Sequence, residues 1–463
     1  MSINFSSQST ASRRRIWSTV VIISIICLLY LAVQVAYMSL VPINRAHDEW
    51  DHIAKNLVTG RGYASSWPKT YIRTTILGLN DYHFPLVPTA TRVPVPVLYF
   101  ALMFHLFGIS DQSLLIGQGI VGVLTCALLF IIALEVFGDR RVAIMASLVW
   151  VFYVPQLWMS NSRYSEPLTT FLLACLTYVL IVALRTRSVW RFGLAGVLWG
   201  LGVLARPTLM VLPLFLSPCL FIILRRQLRF AALACIITVL GGALIISPWV
   251  YRNYRIFDAP VISTLGGRNL FRDHYFIDRD DYLNFRGTFE VDIAAKEMFD
   301  RRFGSVAAVE MADNSQLLVD RVYWEEAIIK IRRYPGRYVL LSLIRILRLW
   351  FNVGYGTAPS WRSYLILIGH LALAGLVVRA LVSYRGDWVG RMAPVFAVVV
   401  QQTLTYMAIA CEFRYSIPLT PYPLLIGCYT LVRIFEADHS TLVNRMTAYW
   451  TTAFGQAGKW KDG

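Results

Sequence analysis

Five titratable residues crowd into the start of HDEWDHIAKNLVTGRGY, residues 47–63: His47, Asp48, Glu49, Asp51 and His52. Carboxylates at this density can serve as a general base or cap the helix that follows them. Asp48 and His52 stand at i and i+4, on one face of a helix, with His47 close by, which also raises a divalent metal. The His-Glu-x-x-His spacing of zinc hydrolases is absent, so no metal ligands and no obligatory cofactor are assigned. A second acid, Glu166 in SRYSEP, precedes Pro167 at the head of an apolar run, where helix capping is the plain alternative. Arg163 lies three residues earlier and can either pair with Glu166 or hold an anion. Four further arginines, Arg92, Arg206, Arg252 and Arg414, stand at the ends of apolar segments. Arg206, followed by Pro207 between two apolar arms, is costly at that depth unless it is paired.

The elements that must position these residues are membrane helices. The chain has 463 residues, 57% hydrophobic and 15% charged, against about 25% charged for a soluble domain. Ile16 to Val41 is long enough to span a bilayer and too long for a signal-peptide core, so it reads as a retained first helix. The net charge of +17 does not indicate nucleic acid, because many arginines lie in short loops between apolar runs, as the positive-inside rule requires. The seven cysteines lie in or beside apolar runs with no CxxC pair, which fits packing and gives no disulfide framework.

Taking the basic loops as cytoplasmic delivers residues 42–92 to the outer face. Further spans are expected near 113–137, 142–158, 167–184, 191–205, 208–224, 230–250, 361–383, 392–411 and 415–434. Residues 252–337, with 14 basic and 14 acidic residues, form a long outer segment. Two apolar stretches break the alternation. VPVPVLYFALMFHLFG (93–108) opens with two prolines, and YVLLSLIRILRLWFNVG (338–354) carries Arg345 and Arg348. Both are expected as interfacial or half-inserted helices on the outer side. The expected fold is therefore an all-α polytopic membrane protein of 10–12 spans. Its modules are 1–251, the outer segment 252–337, a second membrane module 338–435 and a cytoplasmic tail 436–463.

The succession HDEWDHIAKNLVTGRGY, TRVPVP, RYSEPL, GVLWGLGVLARP, SPWVYRNY and CEFRYSIPLTPY covers most of the chain. It resembles polyprenyl-phosphate-sugar-dependent glycosyltransferases of the GT-C fold, which include protein O-mannosyltransferases and the lipid A aminoarabinose transferase. The branch it looks most like decorates bacterial envelope glycans. The resemblance implies a helical bundle in the inner membrane with its active site facing the periplasm. It implies a polyprenyl-phosphate sugar as donor and a glycan, lipid or protein as acceptor. It gives Asp48 the role of base, with Glu49 supporting it or facing the acceptor and His52 standing where the motif has tyrosine. A carboxylate near a bilayer is partly desolvated, which raises its pKa toward the range useful for a base. The departing lipid phosphate gains negative charge, which suits Arg92, Arg163, Arg206, Arg252 and Arg414 as ligands, since the guanidinium fork binds phosphate through two donors. Glu166 would face the cavity, and Glu412 and Tyr415 would support Arg414 or touch sugar.

Competing readings are a polytopic transporter or flippase of lipid-linked sugars, and a polymerase or ligase of lipid-linked glycans. A transporter predicts paired internal repeats and ionisable residues at mid-membrane, and neither is evident. Asp278-Arg279-Asp280 mimics the Asp-x-Asp of nucleotide-sugar enzymes, but it lies in a charged loop and reads as a solvated run. The glycines of GLAGVLWGLG read as helix packing, and Gly266-Gly267 as a place where backbone can approach a sugar phosphate.

Overall fold

A computed structural model describes residues 5–43, 49–80, 82–283, 287–311, 316–352 and 361–437, the side chains of 5–15 and Arg362 excepted. His47 and Asp48 lie outside them, as does the tail from 438 onward. The described chain is helical apart from a two-stranded ribbon, Ala64–Ser65 paired antiparallel with Val87–Pro88.

All the expected spans are helices. Five are long and apolar enough to cross a membrane: Ile16–Leu40, Asp111–Phe137, Glu166–Thr186, Leu228–Phe257 and Ser363–Ser383. Arg140–Val151 and Val154–Ser160 make a sixth if they are taken as one span bent by 55°. The bend falls at Tyr153-Val154-Pro155, where proline cannot continue the preceding turn. Val189–Val203 and Pro207–Ile223 are shorter apolar helices. Asp387–Ala408 and the helix over 421–437 complete the bundle. The count by length and composition is thus below 10–12, because several helices of the bundle are short or carry polar residues.

Local chemistry sets the helix ends. Ser110 caps Asp111–Phe137 by accepting from Ser113 N at 3.2 Å, and Gly138 ends that helix with a left-handed φ of 68°. The glycines of GLAGVLWGLG do pack helices. A Cβ on Gly196 would stand 2.2 Å from the Thr238 carbonyl oxygen, and one on Gly242 2.1 Å from the Trp199 ring. Val189–Val203 and Leu228–Phe257 are therefore in backbone-to-backbone contact.

The first outer loop and the outer segment share one core. Leu270, Phe271, Val291, Phe299, Val322 and Tyr323 of the segment bury Ile72 and Leu77 of the loop. Polar clamps add to it. Glu310 accepts from the backbone N–H of Lys69 and Thr70, both at 2.7 Å, and from the Thr70 hydroxyl. Tyr323 donates to the Thr70 carbonyl at 2.7 Å. Arg252 binds the carbonyls of Thr89 (2.7 Å) and Tyr63 (3.1 Å), riveting the ribbon to the end of the Leu228–Phe257 helix. Gly267 is where the helices Gly266–His274 and Gln316–Arg333 cross, since a Cβ there would meet the Asp320 carbonyl oxygen at 1.9 Å. That corrects its expected role as an approach point for a sugar phosphate: a neighbouring helix already occupies the space.

The two exceptional apolar stretches are the helices Pro94–Phe107 and Pro335–Phe351. The second is amphipathic. Val339, Leu340, Leu343 and Leu347 are exposed, while Arg345 and Arg348 are buried on the opposite side. The arginines thus point into protein and leave an apolar face of the kind that lies on a membrane surface.

Candidate active site

The helix Glu49–Val58 begins directly after Asp48, and its first carboxylate is fully engaged in protein contacts. Glu49 is 1% exposed and accepts from the Tyr71 hydroxyl and from Thr91 Oγ1 at 2.7 Å, with Arg92 Nε 3.6 Å away. Burial, and then the Glu49 charge, push the Tyr71 phenol well above its ordinary pKa, so it stays a donor. Arg92 also covers the Trp50 ring at 4.5 Å. Asp51, two residues on, takes Arg163 Nη1 at 3.0 Å, and Nη2 of the same arginine reaches Asp111 at 2.7 Å. His52 faces Ser66, with Nε2 3.1 Å from the hydroxyl and 3.4 Å from the backbone N. Burial lowers its pKa, which suits a neutral ring holding the loop. These contacts hold the start of the helix Glu49–Val58 from three sides: the loop at 63–73, the strand end at 87–92 and the turn at 161–165.

That turn leads into the second cluster. Gln118, fully buried, donates to the carbonyls of Ser162 (3.2 Å) and Tyr164 (2.8 Å) and so sets where Arg163 and Glu166 emerge. Glu166 opens its helix at 2% exposure. Its Oε1 lies 3.6 Å from Arg206 Nη1 and 3.7 Å from Arg414 Nε, while Oε2 has no hydrogen-bond partner among the described residues. Arg206 covers the Tyr415 ring at 4.4 Å and Arg414 covers Tyr164 at 4.2 Å. Glu412 binds Arg414 Nε through one oxygen and Arg272 Nη1 through the other, both at 2.6 Å. Burial alone would raise the Glu412 pKa, but Arg414 and Arg272 hold it below the ordinary range. Arg272 continues to Asp273 at 3.0 Å, and Asp273 lies 3.6 Å from the fully buried Arg345.

The expected residues therefore fall into two groups. Arg206, Glu166, Glu412, Arg414 and Tyr415 come together. Arg92, Arg163, Glu49 and His52 gather around the start of the helix Glu49–Val58. Arg252 joins neither group, since its guanidinium is held by backbone carbonyls and by the rings of Tyr63 (5.2 Å) and Trp249 (4.9 Å). Arg272, Asp273, Gln118 and Tyr71 were not singled out in the sequence. The signal available for the first two was an Arg-Asp-His run inside an otherwise ordinary charged loop.

An apolar groove of about 1170 Å³ opens beside the second cluster. Its walls come from Leu148 and Phe152, from Trp158, from Leu365 to Leu376 and from Leu424 to Leu431, and its polar end is Glu412, Phe413 and Arg414. Among the described residues no three His, Cys, Asp or Glu side chains converge as metal ligands.

Residues 91–251 match the family model of dolichyl-phosphate-mannose-protein mannosyltransferase. No curated protein matches the chain. The fold is similar to archaeal oligosaccharyltransferase AglB from Archaeoglobus fulgidus, solved with an inhibitory peptide and a dolichol-phosphate. That likeness has TM-score 0.55 at 14% identity over 96% of this chain and 54% of that one. The same enzyme tethered to an acceptor peptide gives TM-score 0.52 at 14% identity over 95% and 53%. ArnT from Cupriavidus metallidurans bound to undecaprenyl phosphate matches at 12% identity and TM-score 0.37, over 89% and 77%. The chain spans about half the length of the oligosaccharyltransferase chains it matches. The all-helical membrane fold expected from the sequence is thus observed, with fewer clear spans than expected, and it is shared with the archaeal oligosaccharyltransferase; the stretch from Thr91 to Tyr251, which holds Arg92, Arg163, Glu166 and Arg206, matches the protein mannosyltransferase family model.

Proposed function

We propose that this chain is an inverting membrane glycosyltransferase that moves a sugar from a polyprenyl-phosphate donor to a glycan, lipid or protein acceptor. The observation that carries this reading is the apolar groove ending at Glu412 and Arg414. A ligand that suits it has a long hydrocarbon chain and an anionic head. The head would meet the cluster of Arg206, Arg272, Arg345 and Arg414 against Glu166, Glu412 and Asp273, four cations against three anions. Nη1 of Arg206, Nη1 of Arg414 and Nη2 of Arg272 have no hydrogen-bond partner among the described residues. Unspent donors and one surplus positive charge favour a phosphate. The dolichol-phosphate held by the archaeal neighbour is a ligand of that chemistry.

In the reaction, Asp48 takes the proton of an acceptor hydroxyl. The oxygen forms a bond to the anomeric carbon from the face opposite the phosphate, and the bond from that carbon to the phosphate oxygen breaks. The polyprenyl phosphate leaves with the electron pair, and the arginines stabilise the charge that develops. Asp48 immediately precedes Glu49 in sequence. The buried contacts of Glu49 with Tyr71, Thr91 and Arg92 support a rigid base at that position. No step requires a metal. A bacterial inner membrane with the site facing the periplasm fits the basic loops at the opposite ends of the spans.

The test compares wild type and Asp48→Asn in nanodiscs with radiolabelled polyprenyl-phosphate sugars and cell-envelope extract. Transfer by wild type alone supports both the class and the base. Equal transfer by both removes Asp48 as base and turns attention to Glu49 and Glu166. Movement of intact donor across the bilayer without loss of label supports a flippase instead.

A further inference from the structure

The groove that would take the hydrocarbon chain carries two polar side chains that the transfer reaction does not use. His370 lies in the middle of the apolar helix Trp361–Ser383 and is 7% exposed. Its Nε2 is 2.8 Å from the Tyr153 hydroxyl, and its Nδ1 bonds the backbone carbonyl of Trp350. A carbonyl only accepts, so Nδ1 carries the proton and Nε2 accepts from the tyrosine O–H. One imidazole thus ties three elements together: its own helix, the bend between Arg140–Val151 and Val154–Ser160, and the end of the helix Pro335–Phe351.

The helix that His370 ties down is otherwise loosely held. Only 11% of the apolar window of Ser363–Ser383 is buried. Thr430 Oγ1 donates to the Leu376 carbonyl of the same helix at 3.0 Å. This helix nevertheless supplies one wall of the groove, from Leu365 to Leu376. His370 and Tyr153 are themselves groove-lining, and the Phe413 ring, next to Arg414, lies 5.5 Å from the imidazole. The tie therefore sits at the head end of the groove, where the hydrocarbon chain would join the phosphate. A buried imidazole in an apolar span costs free energy unless both nitrogens are satisfied, and here both are.

We propose that His370 is a positioning residue for the lipid donor. Through Tyr153 and the Trp350 carbonyl it fixes the loose wall at the width of one isoprenoid chain, so that the phosphate at the end of that chain is presented to Arg414. This rests on the groove being the lipid site. His370 touches neither the phosphate nor the sugar in this assignment.

The test titrates the full chain in nanodiscs with undecaprenyl phosphate, following quenching of the groove tryptophans, for wild type, His370→Leu, His370→Gln and Tyr153→Phe. His370→Leu removes both hydrogen bonds and is expected to weaken binding roughly tenfold, a 1.4 kcal/mol effect. His370→Gln keeps a donor and an acceptor and is expected within about twofold of wild type. Tyr153→Phe removes the hydroxyl that bonds His370, and its contact with Thr420, with little change of volume, so it carries the test if His370→Leu does not fold. Its expected loss is roughly threefold, in line with one hydrogen bond. In the transfer assay the same variants should raise KM for the donor and leave kcat unchanged at saturation, a split that general loosening of the fold would not produce. Wild-type binding with unaltered affinity in both His370→Leu and Tyr153→Phe overturns the proposal while the groove remains the lipid site. Absence of any binding by wild type overturns the groove reading and the proposal with it.

Discussion

The two charged clusters use the same residue types to opposite ends. Around the start of the helix Glu49–Val58, Glu49 is bonded by Tyr71 and Thr91 and faces Arg92, and Arg163 is divided between Asp51 and Asp111. Charges there balance among the described residues, Arg92, Arg163 and Lys55 against Glu49, Asp51 and Asp111, whereas around Glu166 four arginines meet three carboxylates. Ion pairs of balanced charge hold geometry, whereas a buried surplus of positive charge carries a desolvation cost that an incoming anion can recover. On the proposed reading the first cluster is a frame and the second is a receptor. A catalytic base belongs with the frame because its direction matters. A leaving phosphate belongs with the receptor because its charge must be met as it develops.

The sharpest way to break this division is at Asp48. Asp48→Asn should lower kcat by about 10²- to 10⁴-fold, the range for removing a general base, and leave donor affinity near wild type. Substrate turnover and equilibrium binding of the polyprenyl phosphate, measured on one preparation, check both halves. A parallel fall in affinity would mean that the frame also binds the donor. The next largest effect is expected from Arg414→Gln, which removes a receptor cation. A loss of about 10²- to 10³-fold in kcat/KM is expected, with weaker binding of polyprenyl phosphate. Arg163→Gln is the matching change in the frame. It should lower the melting temperature by leaving Asp51 and Asp111 uncompensated, yet alter donor affinity little. Equal affinity losses in the two variants would erase the distinction.

Glu49→Gln gives a smaller and more mixed result. Breaking a buried pair costs about 3–5 kcal/mol when a charge is left behind, though glutamine retains an acceptor for Tyr71 and Thr91 and so reduces that cost. The expected outcome is a clear drop in melting temperature together with roughly tenfold slower turnover that recovers partly on cooling. Turnover abolished at an unchanged melting temperature would instead give Glu49 a direct chemical role.

How far the sequence revealed this arrangement depends on what kind of information each part carries. The membrane helices were legible because apolar length and the placement of basic loops are one-dimensional signals. That Val189–Val203 packs closely on another helix was legible as glycine spacing, whereas its partner Leu228–Phe257 was not. Arg206 was legible as a charge that is costly where it stands, and Glu166 and Arg414 through the family resemblance of RYSEPL and CEFRY. Arg252 shows the limit of that argument. It has the same residue type in the same kind of position, but the backbone carbonyls of Thr89 and Tyr63 reach it first. Nothing local distinguishes an arginine that binds carbonyls 163 and 189 residues away from one that remains available to a ligand. The same holds for Arg272 and Asp273, whose partners Glu412 and Arg345 lie on distant segments. The bend at Tyr153 was also missed, since Val-Pro inside an apolar run reads equally as a kinked single span.

The smallest effect on turnover, and the cleanest in sign, concerns the outermost link of the receptor cluster. His274 is buried in the helix Gly266–His274, with Nδ1 2.7 Å from the Leu270 carbonyl oxygen and Nε2 2.7 Å from Arg345 Nη1. Nε2 must accept from the guanidinium, so the ring is neutral. Burial, then the Arg345 charge, bring its pKa from 6.5 down to about 3. The unfolded chain therefore binds a proton that the folded chain refuses throughout that window. Stability from this group is complete above about pH 6.5 and is lost as pH falls toward 3, by on the order of 5 kcal/mol at most. Asp320, raised to about 6 by burial, acts with the opposite sign between about pH 4 and 6, because the folded state holds its proton longer. A comparison of variants separates the two. His274→Gln keeps an acceptor for Arg345 and a donor for Leu270 but does not titrate. Its melting temperature should fall less steeply than wild type between pH 6.5 and 4, while turnover at pH 7 stays within about twofold of wild type, because the glutamine keeps both hydrogen bonds. Identical acid limbs for the two proteins would mean that His274 is not what links the outer segment to pH. A large loss of turnover at pH 7 would mean that the receptor cluster depends on its farthest member, and the boundary between frame and receptor would then run through the outer segment itself.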